Sequence, residues 1–104
     1  MPKPPEAIEQ FKQKYPDVSK AFAQLAAECH KSGPLDEKSR RLVKLALAVG
    51  AGLEGATHSA VRHALELGVS QEELVHVAVL GITTLGWPSA MRALTWIGDS
   101  KPRD

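Results

Sequence analysis

Glu54 and His58 stand one helical turn apart in the segment Leu53-Glu54-Gly55-Ala56-Thr57-His58-Ser59-Ala60, and Arg62 follows at the same spacing. A carboxylate one turn before an imidazole fixes the ring's tautomer and raises its basicity, which is a common general acid or base arrangement. A guanidinium one turn further on has the planar fork that grips a carboxylate or an enolate. On a helical wheel the apolar arc centres on Leu53, Thr57, Ala60 and Ala64, with Glu54 and His58 at its border. The candidate catalytic set is therefore Glu54, His58 and Arg62. Two plainer readings stay open beside it. Pairs such as Glu54 with His58, or Arg62 with Glu66, are what an ordinary helix carries on its wet side. The same row also suits a polar contact between subunits.

The remaining histidines add no site. His63 lies about 140° from His58 around the helix and points elsewhere. His76 sits in an almost wholly apolar helix, where a histidine is a hydrogen-bonded core or interface residue more often than a ligand. The chain has no H-x-x-x-H or H-x-x-E-H arrangement, so a metal at Glu54 and His58 would need ligands from another helix or subunit. The expected site uses neither metal nor cofactor.

The elements that must position these residues are helical throughout, with no strand pattern. Pro2 to Pro5 form an extended arm, and Glu6 to Lys14 make a short helix. Pro16 opens a second, in which Phe22, Leu25, Ala26 and Cys29 recur at helical spacing until Gly33-Pro34 stops it. Asp36 caps a third that ends near Gly50 or Gly52. A fourth runs from Leu53 to Leu67 and stops at Gly68. Ser70 and Glu73 form a capping box for a fifth, which reaches Thr83. Trp87 to Ile97 make the sixth, and residues 99–104 a loose tail. The expectation is a single-domain all-α bundle of about six helices, with an arm and short helix at 1–15 and the main domain over residues 16–98.

Composition narrows the partners. Thirteen basic and twelve acidic residues among 104 leave a net charge of +1 and no basic stripe, which argues against nucleic acid. Residues 74–91 lack charge, yet His76, Thr83, Thr84, Gly86 and Pro88 interrupt them, so a buried helix and a turn are expected rather than a membrane span. The lone Cys29 fits a reducing cytoplasm. Between Leu42 and Val49 only Lys44 is polar, and between Leu74 and Leu80 only His76. Helices apolar nearly all round need cover on several sides, and a domain this small has little interior to offer. A homo-oligomer is therefore expected.

The helical layout around residues 41–68, with Gly86-Trp87-Pro88-Ser89-Ala90 further on, resembles the carboxymuconolactone decarboxylase and alkylhydroperoxidase D-like family over roughly residues 16 to 98. The resemblance implies a helical homo-oligomer, often a trimer or hexamer. The family's peroxidase branch pairs two cysteines, a histidine and a glutamate. Aligned through Gly68, those positions fall on Leu53, Ala56, Ala60 and Arg41, so thiol peroxidase activity by that mechanism is not expected. The decarboxylase branch also lacks the cysteines, and resembles this chain in Val61-Arg62-His63-Ala64-Leu65 before Gly68 and in Gly86-Trp87-Pro88, although its histidine would fall on Ala60. The family turn makes Trp87, with Thr84 and Met91 beside it, the candidate substrate wall. Two functions follow: a lyase-like enzyme working by acid–base chemistry on a small carboxylate or lactone, or a non-catalytic binding or assembly module.

Overall fold

The computed structural model describes residues 6–100, which contain seven helices and no strand. They divide into two compact units, residues 6–35 and 36–100. The arm expected at Pro2 to Pro5 and the end of the tail lie outside the described residues.

The first unit is a pair of helices, α1 (Glu6–Lys14) and α2 (Pro16–Lys31). Pro16 occupies the first turn of α2, where its missing N–H costs nothing. The Phe11 and Tyr15 rings meet with centroids 5.1 Å apart. No residue of either helix is buried.

The second unit holds α3 (Glu37–Gly50), α4 (Glu54–Leu67), α5 (Gln71–Leu80), α6 (Ile82–Leu85) and α7 (Trp87–Asp99). Its helix ends are locally encoded. Asp36 caps α3 by accepting the Ser39 N–H at 2.8 Å, and those hydrogen bonds hold its carboxyl below the usual carboxylate range. Two glycines with positive φ, Gly52 at 69° and Gly68 at 98°, end α3 and α4 alike. At the first, Gly52 N–H donates to Val49 and Leu53 N–H to Ala48, both at 3.0 Å; at the second, Gly68 donates to Leu65 and Val69 to Ala64. This paired closure satisfies carbonyls that a helix end otherwise leaves open. Leu53 thereby ends one helix and caps the next, so α4 starts at Glu54.

The core lies where α3, α4, α5 and α7 converge, on Leu45, Val61, Leu74 and Ile97, none of which is exposed. The buried edge of α4 is Thr57, Val61 and Ala64. Leu53, placed in that arc by the wheel, is exposed, because it belongs to the turn and not to the helix.

One expected element differs. The fifth helix does not continue to Thr83 but ends at Leu80, and Ile82–Leu85 form a separate single turn. Gly81 is the hinge: its N–H donates to both Val77 and Ala78, and a Cβ there would stand 3.1 Å from the Ala78 carbonyl. From Leu74 to Ile82 only His76 is polar, and it lies well before Gly81, so hydropathy gave no sign of the break. At the other end α7 extends through Asp99, two residues beyond Ile97.

Candidate active site

The first turns of α4 and the last turn of α7 bring together four groups. His58 Nε2 lies 3.2 Å from Glu54 Oε2, the i,i+4 contact expected of the helix. On the ring's other side Nδ1 meets the hydroxyl of Ser100, 42 residues away in the chain. Ser100 is buried, and its Oγ donates to the Trp96 carbonyl at 2.7 Å. The His58 side chain is 26 % exposed and that of Glu54 61 %, so the ring has one anchored nitrogen inside and one facing a wet carboxylate. Helix α7 thus fixes the imidazole, and α4 supplies the charge.

The proton count follows from the geometry. A serine hydroxyl has one proton. Given to the Trp96 carbonyl, it leaves Ser100 Oγ as an acceptor, so His58 Nδ1–H must donate. With Glu54 accepting at Nε2 as well, both contacts are made together only by the doubly protonated ring, and loss of the Nε2 proton leaves the Nδ1–H form. Once protonated, Nε2–H has a carboxylate to receive it.

A second cation stands nearby on α7. Arg92 stacks on the Trp96 ring at 5.0 Å from its centroid, and its Nη2 is 2.9 Å from where a Cβ on Gly52 would be. The absence of a side chain at Gly52 lets this guanidinium lie against the turn that opens α4. Ser100, Trp96 and Arg92 carried no sequence signal as a site. The helical spacing of Arg92, Trp96 and Ser100 puts them on one face of α7, but only the packing of α7 on α4 pairs that face with His58.

The other expected site residues fall elsewhere. Arg62 is half-buried one turn beyond His58, whose ring turns to Ser100. Thr84 lines a groove between α3 and α5, in whose lining neither Glu54 nor His58 takes part. Trp87, 63 % exposed, and Met91 lie on α7 about 140° and 180° around the helix from Ser100. His76, expected in a core or interface, is exposed along the same groove as Thr84. Arg41, at the position of the family's glutamate, is held by Glu37 at 3.0 Å. Leu53 and Ala56, at the cysteine positions, are both exposed. Among the described residues no three His, Cys, Asp or Glu side chains converge as a metal site requires, and no helix is long and apolar enough to cross a membrane.

The five-helix arrangement of the second unit defines an all-α class, and comparison with known proteins gives its family. The chain belongs to the carboxymuconolactone decarboxylase family, whose model matches residues 16–99. It is 33 % identical over 91 residues to the uncharacterized protein MJ1511 of Methanocaldococcus jannaschii, covering 88 % of this chain and 85 % of that one. Its fold is similar to the crystal structure of apo-lpg0406, a carboxymuconolactone decarboxylase family protein from Legionella pneumophila. That match has a TM-score of 0.75 and 28 % identity, and covers 91 % of this chain and 88 % of the other.

Proposed function

We propose that the protein performs proton-transfer chemistry on a small carboxylate or lactone, with His58 as the acid or base, Glu54 as its charge partner and Arg62 as the group that holds the substrate's anionic end. The observation that carries this reading is the two-sided hold on His58, by Ser100 at Nδ1 and Glu54 at Nε2. The anchored Nδ1–H leaves the Nε2 lone pair as the base. A carbon acid next to a carboxyl or lactone carbonyl gives its proton to Nε2, and Glu54 then faces the new N–H. The reverse step returns the proton to the product. Glu54, mostly exposed, is free to move aside for the substrate. Family membership supports the substrate class, since carboxymuconolactone is both a lactone and a carboxylate.

Deuterium uptake tests this. A panel of small lactones and keto or unsaturated carboxylates in heavy water, followed by proton NMR, should reveal at least one compound whose C–H next to the carbonyl exchanges with the native protein. His58→Gln should slow that exchange by about 10²-fold or more, the range typical of a general base. Equal exchange with both proteins for every compound would leave no support for catalysis at His58.

A second reading has one observation in its favour: both ring nitrogens of His58 already have partners. In that reading the row is a structural tie between α4 and α7 in a binding or assembly module. His58→Gln would then lower stability and leave no catalytic trace.

A further inference from the structure

Gln71 opens α5, yet its side chain reaches the far end of α7. Its Nε2 donates to the Ile97 carbonyl at 3.4 Å, across 26 residues of chain. The other end of the amide, Oε1, is buried and has no donor among the described residues. One long hydrogen bond does not offset an oxygen stripped of water and left unpaired, so an apolar side chain of equal length would suit the core better. Stability alone therefore does not account for an amide here, and its one bond points to what does.

The last carbonyls of a helix need donors from outside its ladder. In α7 the Trp96 carbonyl takes the Ser100 hydroxyl at 2.7 Å, and the Ile97 carbonyl takes both Gln71 Nε2 and the Ser100 backbone N–H, the latter at 3.3 Å. Ser100, the C-cap of α7, is thus tied to the helix end twice, and the Ile97 oxygen that receives one of those bonds is itself held from α5. His58 Nδ1 meets the hydroxyl of the same Ser100. A chain of hydrogen bonds therefore crosses from α5 through α7 to the imidazole on α4. What it holds matters, because a neutral ring has one proton for two neighbours, Ser100 at Nδ1 and Glu54 at Nε2. Ser100 is the acceptor only while its own proton stays on the Trp96 carbonyl. A hydroxyl free to turn would donate to Nδ1 instead, and the ring proton would pass to Nε2 beside Glu54.

We propose that Gln71 is a positioning residue for His58: from the start of α5 its amide pins the last turn of α7 and so keeps the Ser100 oxygen where it receives Nδ1–H. The inference rests on the proposed function only in giving His58 a proton to move; the link from Gln71 to the ring stands apart from catalysis.

Nitrogen NMR of the histidine rings in the full chain tests this with Gln71→Met, which keeps the side chain's length and removes its donor, with Ser100→Ala, and with the double variant. In the neutral ring Gln71→Met should move the two His58 nitrogen shifts toward the Nε2–H form, in the direction that Ser100→Ala moves them and by less. In the Ser100→Ala background it should move them no further, because Gln71 acts through Ser100. His63, on the same helix but turned elsewhere, should keep its native shifts. Circular dichroism should stay native; if Gln71→Met loses helicity, Gln71→Ala takes its place. Unmoved His58 shifts in a folded Gln71 variant would overturn the proposal. So would an equal move with and without Ser100, or a matching move at His63, either of which would mark a general loosening. The shifts are read without substrate, so a protein that exchanges no deuterium would count against proton-transfer chemistry and leave this link to be judged by its own result.

Discussion

His58 is anchored through Nδ1 to Ser100, whose own hydroxyl proton goes to the Trp96 carbonyl, so one buried serine at the C-cap of α7 decides which nitrogen of a histidine on α4 is left to react. The Ser100 contact predicts that the neutral ring keeps its proton on Nδ1, the less common tautomer of free imidazole. Ser100→Ala should release the ring toward the Nε2–H form, readable in its two nitrogen chemical shifts. It should also cost about 1–3 kcal/mol, since the Trp96 carbonyl and the inner ring nitrogen both lose a partner in a buried place. An unchanged pair of nitrogen shifts would mean that Ser100 does not set the tautomer.

Backbone geometry gives a contrast between two glycines of the same region. Gly86, with φ 96° and ψ 160°, joins α6 to α7 in a conformation essentially closed to other residues. Gly86→Ala should destabilise by about 1–3 kcal/mol. Gly98 lies within α7 with nothing within 4 Å of a would-be Cβ. Gly98→Ala should therefore stabilise by roughly 0.5 kcal/mol, through the lower entropy of the unfolded chain. Denaturant melts of the two variants should move in opposite directions.

What was legible in the sequence shares one property: the signal and its structural consequence lie within a few residues. Asp36 before Ser39, Ser70 with Glu73, and Gly68 after Leu67 each specify a helix end through bonds made locally, and each stands where it was expected. The Glu54 and His58 contact belongs to the same group, because one turn of helix guarantees the approach. What was not legible depends on packing. Ser100 reaches His58 only because α7 lies on α4, and nothing in its neighbours Asp99 and Lys101 sets it apart. The break at Gly81 depends on a backbone approach inside an evenly apolar run. The wheel misplaced Leu53 because the turn at Gly52 delays the start of α4 by one residue.

The capping box of α5 carries a pH dependence. Hydrogen bonding to Lys38, then to the Ser70 backbone N–H, lowers the Glu73 carboxyl from an ordinary 4.5 to about 2. A carboxyl depressed in the folded state adds stability that is fully present above 4.5 and is lost as pH falls from there toward about 2. Glu73→Gln should thus melt below the native protein at pH 7, and the gap should narrow steadily between about pH 4.5 and 2. Salt should shrink the gap as well, because Lys38 is exposed and its pairing is screened. A gap independent of pH would mean that the charge on Glu73 contributes nothing to the cap.

Thiol chemistry provides the last test, because the positions where the peroxidase branch's cysteines fall on alignment through Gly68 can be refilled. Leu53 and Ala56 are exposed at the opening of α4, where the helix N-terminus favours a thiolate. As it stands the chain has only Cys29, free and exposed on α2, and no second thiol to resolve a sulfenic acid within the molecule. The native protein should therefore show no thiol-dependent turnover of an organic hydroperoxide, and Cys29→Ser should match it. The double variant Leu53→Cys, Ala56→Cys should react with hydroperoxide once and form a disulfide, yet recycle slowly. Ala60 and Arg41 offer no proton relay, and Arg41 is already committed to Glu37. Adding Ala60→His and Arg41→Glu should raise turnover above that of the double variant, by about 10²-fold if the relay acts as a positioned acid and base. Sustained turnover by the native chain that Cys29→Ser abolishes would show instead that Cys29 is itself a reactive centre.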